Sequence, residues 1–390
     1  MLVTIIIFIL VLSVIVFVNE IGHFYTARKL GVKVEEFGLG LPPRIFGIYK
    51  INGRFQFVWW RKALEKDSPT VYSLNIFPIG GFVKIKGEGG EEAASPDSFA
   101  NKAVWKRSVM IAAGVIMNVI LCMVLLAVGF GFGMPSALGD KLDSRAVISN
   151  KNIQIIEVVP DSRAQEAGLR AGDSIVSIGG QKFSDIRELN SYLSSNENQE
   201  LSVIISRGQK EITKPIKVEK YYFEDREIIG FGISLIETAI VRYPWYLAIS
   251  KGVIATFIWL AAIVIAFATV IKNLLVGVPV GVEVAGPVGI AVLTGQAVNL
   301  GWIYLLQFTA LLSLNLAIIN ILPFPALDGG RLLFLAIEKI RGRAVKQEWE
   351  NLIHNIGFIL LMVLILFVTF GDVAKYGGRI LGAVKGLVGL

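Results

Sequence analysis

Residues 3–24 read VTIIIFILVLSVIVFVNEIGHF, an apolar run broken only by Thr4 and Ser13 until it reaches Asn19, Glu20 and His23. A helix rises about 1.5 Å per residue, so roughly 20 apolar residues cross the ~30 Å hydrocarbon core of a bilayer. This run is long enough to span. Its last turns carry two ionisable side chains at membrane depth, where they are costly and therefore point to function. The spacing is one residue short of the zinc-hydrolase pattern H-E-x-x-H. In that pattern two histidines four apart face one side of a helix and share a zinc ion. The glutamate between them takes a proton from the water that the ion activates. Here Glu20 and His23 stand in place, and Asn19 occupies the first histidine's position. An amide is a much poorer donor to zinc than an imidazole.

The rest of the chain agrees with a membrane setting. Of 390 residues, 54% are hydrophobic, and mean hydropathy is +0.63. That is too apolar for an ordinary soluble protein. The net charge of +7 is spread over several segments without a long basic block, so nucleic acid is not an expected partner and basic flanks of spans are. The single cysteine, Cys122, excludes an internal disulfide framework, and two histidines, His23 and His354, exclude a three-histidine metal site. The N-terminal run has neither a basic leader nor a small-residue cleavage site, so a retained span is expected.

Four segments have the length and apolarity of spans: 3–24, 109–133, 302–322 and 353–370. A fifth, 252–271, is equally apolar. Between the first two lies a polar region whose centre, Val71–Glu88, reads VYSLNIFPIGGFVKIKGE; its alternation and the Gly80-Gly81 pair predict strands around a turn, over about 70–88. Residues 134–244 form a soluble block with a core at 153–218. Strands are expected at 153–159, around 175–178, at 201–206 and at 212–218, with helices at 160–169 and 186–193. The block is large enough for one small domain. Residues 245–301 are expected to be amphipathic or membrane-associated, and 302–390 to form the second membrane half. If 3–24 runs inward, Asp328 reaches the depth of Glu20 and His23 only when 302–322 also runs inward. Parity then requires that 252–271 fall short of crossing, or that 278–298 dip back. The first needs fewer assumptions. The basic residues Arg331, Lys339, Arg341, Arg343 and Lys346 then lie inside. The expected fold is an α-helical polytopic membrane protein of about four spanning helices, a membrane-associated β-hairpin and one small extracytoplasmic α+β domain.

Two motifs in different spans now stand together: Asn19-Glu20-x-x-His23, and Asn320-Ile321-Leu322-Pro323-Phe324-Pro325-Ala326-Leu327-Asp328-Gly329-Gly330. Together they resemble the site-2 protease family of intramembrane zinc metalloproteases. Within it the chain resembles the bacterial branch with a central PDZ domain, of the regulator of sigma-E protease type. Phe77-Pro78-Ile79-Gly80-Gly81-Phe82-Val83-Lys84 with Gly87-Glu88 is similar to that family's membrane-associated hairpin. Ala285-Gly286-Pro287-Val288-Gly289-Ile290 is similar to the segment before its third span. Pro160 through Gly180 is similar to a PDZ core.

The resemblance implies a Zn2+ cofactor with His23 and Asp328 as ligands and Asn19 at the missing ligand's place. It implies Glu20 as proton shuttle and Asn320 as a donor to the substrate backbone or oxyanion. It implies that Gly80, Gly81, Phe82, Val83 and Lys84 hold an unwound substrate by strand addition. The implied substrates are single-span membrane proteins such as anti-sigma-factor-like regulators. The PDZ domain would take a peptide or the substrate's ectodomain, and the site would lie near the cytosolic side of an inner or plasma membrane. His354 is read as a packed or interfacial histidine, not a replacement ligand. Loss of one ligand of three predicts that this chain is inactive or weakened. An introduced substitution, a natural loss and a tolerated weak ligand all fit Asn19. The rival reading is a catalytically dead membrane-embedded PDZ receptor for a single-span partner.

Overall fold

The computed structural model describes residues 2–60, 68–90, 92, 94–138, 143–208, 210–223, 226–277 and 285–388. In chain order the elements are α1 (Leu2–Lys29), β1 (Val34–Ile51), β2 (Arg54–Trp59), β3 (Val71–Ile85), α2 (Val104–Phe132), β4 (Met134–Ala137), β5 (Val147–Val158), α3 (Arg163–Glu166), β6 (Ser174–Ile178) and α4 (Ile186–Ser195). There follow β7 (Glu200–Arg207), β8 (Lys210–Lys217), β9 (Glu219–Phe223), β10 (Arg226–Gly230), β11 (Ile233–Arg242), α5 (Trp245–Val276), α6 (Pro287–Leu300), α7 (Trp302–Ile321), α8 (Asp328–Arg341) and α9 (Gln347–Val388). The chain divides into two compact units, one of residues 1–126 with 251–390, the other of residues 127–250.

In the first unit α1, α2, α5, α7 and α9 are long and apolar enough to cross a membrane. Many of their large apolar side chains face outward: Ile258 on α5 is 61% exposed and Phe367 on α9 is 77% exposed. A soluble protein would bury such residues, whereas lipid covers them at no cost. Where these helices touch, small residues let the backbones approach. A β-carbon on Gly22 of α1 would strike the Ala113 carbonyl of α2. On α7, Ala310, Ser313 and Ala317 are buried, and Ser313 Oγ donates to the Asn118 carbonyl of α2 at 2.9 Å.

The segment 252–271 lies inside α5, and that helix is apolar on all sides rather than amphipathic, with no charge between Lys251 and Lys272. Its 32 residues extend about 48 Å, so α5 has the length to cross. Among the described residues five helices are thus long and apolar enough to cross, where the sequence reading expects about four. With α5 crossing, α7 keeps its inward direction only if 278–300 brings the chain back. Within that stretch α6 has 14 residues, about 21 Å long, and 278–284 lie outside the described residues.

The sheet beside α1 is more interleaved than a hairpin. Both arms of the expected 70–88 hairpin are extended, but they do not pair with each other. Residues 71–74 pair with 36–39 on one side, and 81–85 pair with 34–39 on the other. β1 turns back at 40–44, so its second half, 44–48, pairs with the outer side of 72–75, and β2 follows at the edge. The link Phe77–Gly80 is too long for a tight two-residue turn and passes over the end of the first half of β1. Arg44 clamps the turn-back by donating to both carboxylate oxygens of Glu36, at 2.8 and 2.7 Å. Residues 81–85 therefore form a sheet edge whose outer side pairs with no strand among the described residues.

The second unit is an antiparallel sheet of order β4-β11-β5-β6-β7-β8 with α3 and α4 packed on it. Its core holds Ile153, Ile155, Ile178, Leu189, Ile205 and Phe231. Ser162 and Asp185 cap α3 and α4, each accepting a backbone N–H two or three residues on. Buried Asp173 takes two hydrogen bonds from Arg207, both 2.7 Å, which satisfy the carboxylate inside the fold.

Candidate metal centre

α1 carries His23 into the first unit's interior, where it is 8% exposed. Its Nδ1 lies 2.9 Å from the Met110 carbonyl of α2. A carbonyl only accepts, so Nδ1 carries a proton. Nε2 meets Asp328 Oδ2 at 3.5 Å. The distance is too long for a hydrogen bond. A proton on Nε2, giving an imidazolium–carboxylate pair, or a metal ion between the two atoms would each satisfy both. Two ligands about 2.0–2.2 Å from one tetrahedral zinc lie roughly 3.3–3.5 Å apart. The bond from Nδ1 to a carbonyl is also what fixes the tautomer of a metal-binding histidine.

Asn19 lies one turn earlier on the same face of α1 and is 4% exposed. Its Nδ2 is buried without a hydrogen-bond partner. Such an orphan costs about 1–3 kcal/mol. A half-turn of the carboxamide would present Oδ1 at the same corner, an oxygen donor suited to a cation. Gly114 of α2 makes room for both side chains: a β-carbon there would run into His23 Nε2 and sit 2.9 Å from Asn19 Nδ2. Among the described residues no group of three His, Cys, Asp or Glu is arranged around one point. His23 and Asp328 are the two residues of metal-ligand type that meet here, and the Asn19 carboxamide lies beside Gly114 with His23.

Asp328 opens α8, where a carboxylate suits the positive end of the helix. The loop from Pro323 to Leu327 delivers it. Proline at 323 and 325 ends α7. Ala326 takes φ +78°, a left-handed conformation that costs a residue with a β-carbon of order 1–3 kcal/mol. The Ala326 N–H donates to His354 Nδ1 of α9 at 2.9 Å. Gly329 and Gly330 pack so closely under the loop that a β-carbon on either would strike a loop or α7 carbonyl.

Glu20, His23, Val83, Asp328, Arg331 and His354 line one cavity of about 380 Å³. Glu88 and Arg331 form an ion pair in its wall. The loop after β3 closes another side, carrying Phe99 against the cavity. Lys86 holds that loop, donating to Asp97 at 2.8 Å. This bond, and one from Ser95, draw the Asp97 carboxyl down to about 2.

The structure brings Glu20, His23 and Asp328 to one cavity, while Asn19 lies beside Gly114 with His23 and is not in the cavity's lining. Asn320, in the last turn of α7, is half-buried and is not in the cavity's lining. Of the five expected substrate-binding residues, Val83 lines the cavity. Gly80 packs on Val16 and Gly81 on Phe17. Phe82 lies over Gly38, and Lys84 pairs with Glu35 at 2.8 Å. Sequence reading missed the Met110 carbonyl, Gly114 and Arg331. A backbone acceptor leaves no mark in a sequence, and a glycine in an apolar helix reads as a packing residue. Arg331, directly after Asp328-Gly329-Gly330, was counted only as a topology-setting charge.

Peptidase family M50 matches residues 7–364. The "Regulator of sigma-W protease RasP" of Bacillus subtilis is 29% identical, over 95% of this chain and 98% of its own. A "Putative zinc metalloprotease" of Clostridium perfringens is 31% identical, over 93% and 96%. A "Zinc metalloprotease RasP" of Geobacillus kaustophilus is 28% identical, over 96% and 98%. The solved PDZ domain of an SdrC-like protein of Listeria monocytogenes aligns with 24% of the chain at 24% identity and a TM-score of 0.20, too low to bear on the fold. The matched span takes in both motifs and the full cavity lining, and on these grounds the chain belongs to peptidase family M50, the site-2 protease family of zinc metalloproteases.

Proposed function

We propose that the chain is an intramembrane metalloendopeptidase for single-span membrane proteins, weakened by Asn19. The observation that carries this is the meeting of His23 and Asp328 in a cavity that also holds Glu20. His23 and Asp328 hold the ion. A zinc ion held there would supply the Lewis acid that activates water and polarises the scissile carbonyl. Glu20 takes the proton and hands it to the leaving amine. Asn320 donates to the substrate near the cavity's rim. The sheet edge at 81–85 holds the substrate extended, which a helical scissile bond requires. The substrates are regulators of the anti-sigma-factor kind, the class that the name of the Bacillus relative suggests. The second unit faces the extracytoplasmic side and binds a peptide or ectodomain, and the metal centre lies near the cytosolic side.

Asn19 favours a second reading, a catalytically dead receptor that binds the same partner. Asn19→His separates the two. With the parent chain and Asn19→His/Glu20→Gln as controls, zinc content and cleavage of a bilayer-embedded single-span substrate are measured. The proposal expects one zinc and cleavage in Asn19→His, zinc without cleavage in the double variant, and little of either in the parent. Equal cleavage by parent and Asn19→His overturns the weakening. Zinc-free, inactive Asn19→His overturns the protease reading in favour of the receptor.

A further inference from the structure

His354 is the second of the chain's two histidines, and the donor set at the metal centre does not use it. It sits in the first turns of α9 and lines the same cavity as Glu20, His23 and Asp328. Its Nδ1 accepts the Ala326 N–H at 2.9 Å. An imidazole nitrogen that accepts is unprotonated, so the neutral ring carries its hydrogen on Nε2. That atom is buried and has no partner. If the ring served only to fill space, a phenylalanine or leucine would do so without stranding a polar atom in the protein interior. The polar cost at Nε2 is accepted for what Nδ1 does.

Nδ1 bonds the one residue between Pro323 and Asp328 with a left-handed backbone, Ala326 at φ +78°. Two residues later comes Asp328, whose carboxylate faces His23. α9 grips the same turn a second time, because a β-carbon on Gly357, three residues along from His354, would run into Pro325. The ring is steadied from the other side by Phe334 of α8, with centroids 5.5 Å apart. The turn that sets the Asp328 carboxylate is therefore held between α8 and α9, and its only hydrogen bond to a side chain among the described residues comes from His354.

We infer that His354 is a positioning residue: by accepting the Ala326 N–H it locks the turn that aims Asp328 at the metal centre. The role needs an acceptor at the Nδ1 position and nothing else of the imidazole. Asparagine places its Oδ1 close to where histidine places Nδ1, so it is the rescuing substitution. Phenylalanine keeps the ring's bulk and its contact with Phe334 but has no acceptor. The metal part of this inference rests on the proposed function, whereas the turn part does not.

Two readouts separate them. In the parent chain in lipid nanodiscs, amide hydrogen exchange is followed on the peptide covering 322–330. His354→Phe is expected to raise exchange there about tenfold, and His354→Asn to restore it. In the Asn19→His background, zinc affinity is measured by chelator competition. His354→Phe is expected to lose about 10- to 100-fold, the range for supporting partners of metal ligands, with His354→Asn near the Asn19→His value. Unchanged exchange in His354→Phe, failure of asparagine to restore protection, or full zinc affinity in His354→Phe would each overturn the inference. If Asn19→His binds no zinc while the exchange pattern holds, the metal reading fails and the turn assignment stands.

Discussion

His23 Nε2 and Asp328 Oδ2 come within 3.5 Å of each other from two helices that the chain order keeps far apart, α1 and α8. Nothing local brings them together. α1 presents His23 because Nδ1 is tied to Met110 of α2, and α8 presents Asp328 because the proline-rich loop stops α7 and turns the chain. If Asp328 ligates the ion, replacing it costs more than loss of a supporting partner would. In the Asn19→His background, Asp328→Asn is expected to weaken zinc binding by more than about 100-fold, beyond the range for supporting residues. Chelator competition measures it. A loss under tenfold would make Asp328 a supporting residue.

Gly114 has no side chain, yet its place in α2 decides whether the centre can form. A methyl there would overlap His23 Nε2 and crowd Asn19 Nδ2. His23 cannot swing aside without giving up its bond to Met110. Gly114→Ala is therefore expected to destabilise the first unit by about 1–3 kcal/mol, the usual cost of overpacking. In the Asn19→His background it should also displace the metal ligands and abolish cleavage. Gly131→Ala serves as the control, since a β-carbon at Gly131 approaches nothing closer than 3.9 Å. Thermal unfolding and zinc content read out both variants. Equal behaviour of the two would show that the α1–α2 contact has slack.

Much of this was legible in the sequence because the costly residues announce themselves. Glu20, His23 and Asp328 stand out as ionisable groups at the ends of apolar runs, and the structure does bring them to one cavity. The strands of the 153–218 core follow from apolar alternation, and Gly168, Gly179 and Gly208 mark the ends of α3, β6 and β7. What was not legible is long-range. The stretch 70–88 reads as a hairpin because its arms adjoin, but the first half of β1 inserts between them, and no local signal predicts an insertion. The packing role of Gly114 and the bond from Ala326 to His354 depend on which helix faces which, and that is settled only in three dimensions. The apolar run 252–271 was held out of the membrane by a parity argument, yet α5 has the length and composition to cross.

Asp97 gives the loop after β3 a dependence on pH. Its carboxyl lies near 2 in the folded chain, chiefly through the Lys86 hydrogen bond and then through Ser95. A carboxylate whose folded value is depressed contributes stability that is fully present above its unfolded value of about 3.9. That contribution fades as pH falls from about 4 toward 2. The Asp97 side chain is 41% exposed, so solvent screens the pair and the effect on global stability is small. The local effect is larger, because this loop also carries Phe99 against the cavity. Limited proteolysis of the 86–99 segment is expected to accelerate between pH 4 and 3 in the parent. In Asp97→Asn it should already be fast at pH 7 and show no such step. A parent rate that does not change across that interval would mean the pair does not hold the loop.

The sheet edge at 81–85 bears on how a partner binds. Residues 34–39 occupy one side of this strand, no strand among the described residues pairs with its other side, and Val83 and Ile85 line the cavity that holds Glu20 and Asp328. A segment added in extended form along that edge would pass directly beside the metal centre, its side chains alternating toward and away from it. Cys122 is the only cysteine, so a Cys122→Ala chain with Val83→Cys carries one reactive position. Paired with single-span substrates bearing one cysteine each, it should crosslink in a pattern of period two through the stretch around the scissile bond. Asn19 should not prevent this, because the strand pairing at this edge is between β1 and β3. Crosslinks that recur every three to four residues would mean that the substrate stays helical at the edge, and a uniform background would mean that it binds elsewhere.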